Sequence, residues 1–317
     1  MKSLAAIVGP TGIGKSRLAI HLAGKFGGEI VGADSRQVYR YMDIGTAKPT
    51  PEDRVHIRHY LIDVVDPNQD FSLAQYQALA FDAIREIYSL DKLPVLVGGS
   101  GLYVRAVLEG WQLPEAKPDS ELRRHLEKRA ADVGYQGLYE ELTKIDPAAA
   151  QKIDPRNVRR VIRALEVHHQ TDTAFSQLQN KKTLPYRALI IGLTTERKEL
   201  YRRIDKRVDD MIEQGLVAEV EKLVNMGYDF NLPAMSSIGY KQIALFLKGE
   251  TSLEDAVQQI KYETHRFVRH QYAWFRLNDA QIHWFDIARI QETEIEALVS
   301  GFLEGKTDHK EVLTVSE

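Results

Sequence analysis

Residues 9–16 read Gly-Pro-Thr-Gly-Ile-Gly-Lys-Ser, a glycine-rich loop that ends in Lys-Ser. Gly9, Gly12 and Gly14 let the backbone curl until successive N–H groups and a helix N-terminus aim at one anion. Lys15 adds a compact positive charge, and Ser16 offers a hydroxyl placed to ligate a magnesium ion bridging phosphate oxygens. With Pro10, Thr11 and Ile13 filling the spacing G-x-x-x-x-G-K-S, the loop reads as a site for a diphosphate or a longer phosphate chain. What the phosphates carry is left open.

Three further groups carry possible chemistry. Asp34, in Gly-Ala-Asp-Ser-Arg-Gln-Val-Tyr, is either a helix cap, as Ser35 could also be, or a general base near the phosphates or a group that orients the ligands of a magnesium ion. The turn Gly98-Gly99-Ser100-Gly101 either closes a strand-to-helix connection or brings backbone to a ligand shared with the first loop. Arg203 and Arg207, four residues apart on one helix face, are a solvated charged face or a means of stabilising a departing diphosphate.

A local basic face lies at 154–170, Asp-Pro-Arg-Asn-Val-Arg-Arg-Val-Ile-Arg-Ala-Leu-Glu-Val-His-His-Gln. Asp154 as N-cap and Pro155 at the first helical position are expected to start this helix. At about 100° per residue, Val158, Val161, Ile162 and Leu165 share one side while Arg156, Arg159, Arg160 and Arg163 gather opposite. Arginines with Glu166 as the sole acid between Arg156 and His169 suit a nucleic-acid backbone better than a solvated face. Residues 265–276 interleave His265, Arg266, Arg269, His270 and Arg276 with Phe267, Tyr272, Trp274 and Phe275, a pattern for core or for a base-stacking groove. His265 and His270 are five apart, off one helical stripe, and are not read as metal ligands.

The elements that must position these groups alternate over the first part of the chain. The apolar run Leu4–Val8 reads as a buried parallel strand, and the residues after Lys15 have helical spacing at Leu18, Ala19, Leu22 and Phe26. Strands are expected at 29–35, 59–67, 93–97 and 186–197, with a helix over 71–90 capped by Ser72. The expected class is α/β: a P-loop-type, mainly parallel sheet flanked by helices, with ligands beyond the carboxyl ends of the strands. Only helical signals occur from Ser120 to about Leu178, after a linker marked by Pro114 and Pro118. The expected division is a core of 1–113 and 187–317, with a helical C-terminal part, and a helical insertion domain of 114–186. A loose tail is expected over 305–317.

Composition narrows the class. The chain has 317 residues, 44% hydrophobic and 27% charged, which suits an ordinary globular protein with one large core or two smaller ones. Neither a run of about 18 apolar residues nor a signal-peptide pattern occurs, so no membrane is expected and the cytoplasm is the expected location. The absence of cysteine excludes disulfides, thiolate zinc sites and a cysteine nucleophile. A formal net charge of -3 argues against indiscriminate nucleic-acid binding but not against a local basic face.

Taken in order, 9–16, 34–49, 98–110, 154–167, 238–243 and the basic-aromatic run at 265–276 resemble the successive signatures of bacterial tRNA dimethylallyltransferases, also called tRNA isopentenyltransferases. The resemblance implies that the loop holds dimethylallyl diphosphate, that N6 of adenosine 37 beside the tRNA anticodon attacks its C1, and that pyrophosphate leaves. It implies Asp34 as general base and Arg207 as a diphosphate contact, with Thr11–Ser16 as the diphosphate loop and Ser16 at the magnesium (Mg2+) position. It further implies tRNA contacts at Asp34, Ser35, Arg36 and Gln37, at Ser100 and Arg123, and on the insertion helix at Arg159, Arg160, Val161, Ile162 and Arg163. A last stretch, Ser236, Ser237, Ile238, Gly239, Tyr240 and Lys241, completes that set. The expected partners are the tRNA anticodon stem-loop and dimethylallyl diphosphate, with the protein a monomer. Ser100 stands where the family usually has threonine, and Ser236 and Ser237 where other members often differ.

Two readings compete. A P-loop kinase or NTPase would use Asp34 as base for a hydroxyl and Asp63 or Asp66 as metal-binding acids. A non-catalytic RNA-binding protein would hold a nucleotide in the loop as a switch.

Overall fold

The computed structural model describes residues 2–113, 119–178 and 181–306. The expected linker prolines, Pro114 and Pro118, and all but the first two residues of the expected tail lie outside the described residues. Two compact units divide the chain, residues 1–108 with 185–317 and residues 109–184.

The first unit opens with β1 (Lys2–Val8), α1 (Lys15–Phe26), β2 (Gly28–Gly32), a short α2 (Pro51–His56), β3 (His59–Tyr60), α3 (Leu73–Ser89), β4 (Leu93–Val97) and α4 (Gly101–Leu108). In the second unit lie α5 (Ser120–Ile145), α6 (Pro147–Ala150) and α7 (Val158–Thr171). The chain returns to the first through β5 (Tyr186–Thr194), α8 (Arg197–Glu213), α9 (Leu216–Asn225), α10 (Tyr240–Leu247), α11 (Leu253–Trp274), β6 (Ile282–Asp286) and α12 (Glu292–Leu303). The units part at the end of α4 and just before β5, rather than at 113 and 187.

The sheet order is β3-β2-β4-β1-β5-β6, every neighbouring pair parallel. From Leu4 onward β1 is buried, because β4 and β5 flank it and helices cover it, as its unbroken apolar run requires. This order sets the carboxyl ends of β1, β4 and β2 side by side, where an open α/β sheet places its ligands. On one face Leu18, Leu22 and Ala23 of α1 pack with Ile7, Val95 and Ile191 of the strands, and with Leu200 and Ile204 of α8. A separate core joins α8, α9 and α10 to the loop after β2 through Val38, Tyr39 and Met42. The insertion has its own core, including Leu126, Leu138, Leu142, Val161, Ile162 and Leu165.

Three local expectations need correction. The strand expected at 29–35 ends at Gly32, because the Asp34 carboxylate accepts the Arg36 backbone N–H at 2.8 Å and turns the chain. The strand expected at 59–67 is only His59–Tyr60, since Leu61 and Asp63 take left-handed φ values of 65° and 57°. Asp63 is held there by Lys48 at 2.6 Å and Arg54 at 2.7 Å. The insertion helix does not start at Asp154 and Pro155. Asp154 accepts from its neighbour's backbone, Arg156 N–H, at 3.0 Å, and Asn157 takes over as N-cap by accepting the Arg160 N–H at 3.2 Å. Strand β6 was not anticipated; its Ile-His-Trp-Phe-Asp lacks a clean alternation and is fixed by pairing with β5. Ser72 caps α3 as expected, accepting the Gln75 N–H at 3.3 Å.

Candidate active site

The glycine loop joins β1 to α1, and Gly14 is the helix N-cap with φ of 101°, a conformation open to glycine and strained for other residues. A cavity of about 340 Å³ opens beside it. Thr11, Gly12, Gly14, Lys15 and Ser16 of the loop line it, as do Asp34 and Gln37 after β2 and Gly98 and Gly99 after β4. Arg203 and Arg207 of α8 complete the wall. Within the loop, Gly9, Pro10 and Ile13 do not line the cavity: all three are buried, and Gly9 stands against the Leu193 backbone.

The charges here are arranged for an anion. Lys15 Nζ donates to the Pro10 carbonyl at 2.7 Å and forms no ion pair among the described residues. Burial, then repulsion from Arg207, lowers the Lys15 ammonium from 10.5 to about 7, against the pull of Asp34. Burial also lowers the Arg207 guanidinium from its ordinary value, again opposed by Asp34. Arg203 behaves differently, paired with Glu199 at 2.7 Å. The two arginines therefore answer the sequence question separately: both line the cavity, but Arg203 belongs to a charge pair whereas Arg207 forms no ion pair among the described residues.

The loop after β2 is held from several sides. Gln37 Nε2 donates to the carbonyls of Thr46 and Ala47, both at 3.1 Å. Glu219 of α9 accepts the backbone N–H groups of Asp43, Ile44 and Gly45 at 2.9, 2.8 and 3.2 Å, and the Tyr240 hydroxyl at 2.6 Å. Ser35 N–H donates to Ser100 Oγ at 3.2 Å, joining this loop to the second glycine turn. The Arg36 guanidinium donates to the Pro233 carbonyl at 3.0 Å.

Several residues expected to touch tRNA are placed otherwise. Val161 and Ile162 are 1% and 4% exposed in the insertion core, so their side chains support the helix and cannot reach an RNA. Ser237, Gly239 and Tyr240 are buried; Tyr240 holds Glu219, and its motif clamps the 43–45 loop from within. Ser236 and Lys241 remain exposed, with Ile238 between. On α7, Arg159 and Arg160 are exposed, whereas Arg163 and Arg123 both close on the fully buried carboxylate of Glu166, at 2.6 and 2.9 Å. Burial pushes the Glu166 carboxyl up, but Arg123, Arg163 and the Asp119 N–H outweigh it and hold it below its usual range. The basic-aromatic run also divides: Phe275 is core, while Phe267 and Trp274 are each 40% exposed.

Gln271 escaped the sequence reading, yet it is 3% exposed and touches both glycine turns. Its signal was its place on the buried stripe of α11, three residues after Val268 and four before Phe275.

Comparison with known proteins identifies the family. A match to the family described as IPP transferase spans residues 37–278. The tRNA dimethylallyltransferase of Dehalococcoides mccartyi is 51% identical over 300 residues, 95% of this chain and 92% of that protein. That of Thermomicrobium roseum is 51% identical over 288 residues, 91% of this chain and 87% of that protein. The crystal structure of the tRNA isopentenylpyrophosphate transferase of Bacillus halodurans superposes with a TM-score of 0.72 at 42% identity, covering 96% of this chain and 98% of that one. A eukaryotic dimethylallyltransferase solved acting on tRNA gives 0.84 at 28% identity, over 98% and 82%. With a parallel sheet, a phosphate-type loop and identity above 50% along nearly its whole length, the chain belongs to the IPP transferase family of tRNA dimethylallyltransferases.

Proposed function

We propose that this chain transfers the dimethylallyl group of dimethylallyl diphosphate to N6 of adenosine 37 in the tRNA anticodon loop, releasing pyrophosphate. The supporting observation is that Lys15, Arg207 and Asp34 line one cavity, two cations without carboxylate partners beside a carboxylate at a strand end. The kinase alternative loses its acids: Asp63 is neutralised by Lys48 and Arg54, Asp66 pairs with Arg40 at 3.1 Å, and neither lines the cavity.

In this reading the diphosphate rests against the N–H groups from Gly12 to Ser16 at the start of α1. Its negative charge favours the protonated form of Lys15, which burial and Arg207 disfavour. The adenine N6 lone pair is delocalised into the ring and is a weak nucleophile. Asp34 accepts a hydrogen bond from N6 and takes its proton as the N6–C1 bond forms. The C1–O bond breaks, its electron pair passes to the diphosphate oxygen, and Lys15 and Arg207 stabilise that charge. Ser16 lines the cavity and its hydroxyl has no hydrogen-bond partner among the described residues, so it fits as the residue that would hold Mg2+. Among the described residues no three His, Asp or Glu side chains are grouped to hold an ion. When bound, the ion would add electrostatic stabilisation of the leaving charge.

For the tRNA, the exposed Arg159 and Arg160 of the insertion, with Ser236 and Lys241 of the core unit, are the proposed backbone contacts. A cytoplasmic monomer is the proposed working form; among the described residues no helix is long and apolar enough to cross a membrane.

The test is transfer of a labelled dimethylallyl group to unmodified tRNA with magnesium and without ATP, beside an ATP-hydrolysis control. Incorporation is expected, lost when adenosine 37 is replaced and reduced about 10³-fold in Asp34→Asn with tRNA affinity kept. ATP turnover without incorporation would return the chain to the kinase reading.

A further inference from the structure

Both ends of the Gln271 amide engage backbone groups distant in the chain. Its Oε1 accepts the Thr11 N–H at 2.8 Å across 260 residues, and its Nε2 donates to the Gly99 carbonyl at 3.1 Å across 172. The orientation of the amide follows from its partners, since an N–H can only donate and a carbonyl only accept. A Cβ at Gly99 would collide with the Gln271 Nε2, so a larger residue there would have to displace the amide. From Gly99 the connection continues: Ser100 N–H donates to the Ala33 carbonyl at 3.3 Å, and Ser100 Oγ accepts the Ser35 N–H at 3.2 Å. Gly98 N–H donates to the Ile7 carbonyl at 3.2 Å, closing the circuit back to β1.

We propose that Gln271 is a positioning residue for the diphosphate, an inference that rests on the diphosphate reading of the glycine loop. It withdraws the Thr11 N–H from the anion site and pins the loop at that point, so that the N–H groups from Gly12 to Ser16 converge on the phosphates. Through Gly99 and Ser100 it also sets the spacing between that loop and the strand end carrying Asp34. It touches neither reacting atom; it acts through the backbone of both turns.

Gln271→Glu tests this by pH. Protonated, the carboxylic acid can donate to the Gly99 carbonyl and accept from Thr11, as the amide does; ionised, it presents an acceptor to an acceptor and a negative charge beside the loop. Pyrophosphate affinity is measured by calorimetry for wild type and variant, with tRNA affinity and thermal melting at each pH. At about pH 8 the variant is expected to bind pyrophosphate about 10- to 100-fold more weakly than wild type, and at about pH 5.5 within about 3-fold, because burial raises the carboxyl above its ordinary value near 4.3. Affinity for tRNA stays unchanged. Gln271→Met, apolar and of similar length, is expected to keep an equal deficit at both pH values and serves if the glutamate variant does not fold. Wild-type affinity in the variants, or a Gln271→Glu deficit that ignores pH, overturns the positioning role. Absence of pyrophosphate binding by the wild type overturns the diphosphate site itself, and the inference with it.

Discussion

In the cleft, Lys15 and Arg207 face no carboxylate within ion-pair distance among the described residues, whereas in the insertion Arg123 and Arg163 close on Glu166 and Arg156 on Asp154 at 2.8 Å. Both regions are rich in cations, and both are proposed to meet phosphate. The difference lies in when their charge is compensated. On the proposed function, the cleft carries its desolvation cost in the free protein and would recover it on binding a diphosphate, which would favour a compact anion. The insertion satisfies its buried charge internally and leaves Arg159 and Arg160 in solvent. Solvated arginines cost little and gain through counterion release, which suits the extended backbone of an RNA.

The largest expected effect comes from removing a cleft cation. Lys15→Met and Arg207→Gln should each lower kcat/KM for transfer by about 10²–10³-fold. If the charge is held at a cost, Lys15→Met should also raise the melting temperature of the ligand-free protein at neutral pH; a lower one would mean that Lys15 is a structural group. The pH dependence has a definite sign. Lys15 falls to about 7 in the folded protein from 10.5, so between those values the unfolded chain holds a proton that the folded chain has shed. Its contribution to stability therefore rises with pH across that window, and Lys15→Met should flatten the slope of a stability profile there.

Next in size is the matched charge of the insertion. Glu166→Gln keeps the side-chain shape but leaves Arg123 and Arg163 without their anion. Both arginines are partly exposed, so the cost should be about 2 kcal/mol, below the 3–5 of a fully enclosed pair, read by denaturant unfolding. Chemistry in the cleft should be spared for diphosphate binding. The smallest effect is expected from Arg159→Ala with Arg160→Ala: tRNA affinity about 10-fold weaker, the slope of log affinity against log salt reduced by about 2, and stability unchanged. An unaltered salt slope would remove the insertion helix from the RNA interface and dissolve the contrast between the two regions.

Chemistry carried by contiguous residues was legible in the sequence. The loop at 9–16, the helix after it, the Ser72 cap and the glycine turn at 98–101 depend on neighbours in the chain, and local spacing specified them. Reading failed where two local signals competed or where the partner was remote. Asp154 turns back on the Arg156 N–H, and Asn157, three residues on, caps the helix instead. Four arginines on one helix looked equivalent, but burial of Glu166 captured Arg163 and drew in Arg123. Tyr240 and Val161, which the family resemblance implied as RNA contacts, are both buried and act on the protein itself.

By itself, then, the sequence determined the phosphate loop, the alternation that makes a parallel sheet, and the family. Each rests on interactions within a few residues or on a pattern repeated along the chain. Only the tertiary structure decided which cations face the cavity, which residues clamp the 43–45 loop, and that Gln271 ties the two glycine turns together across 260 and 172 residues. The physical reason is that a hydrogen bond or a desolvated charge depends on what surrounds an atom in space, and strand order, not sequence separation, brings those surroundings together.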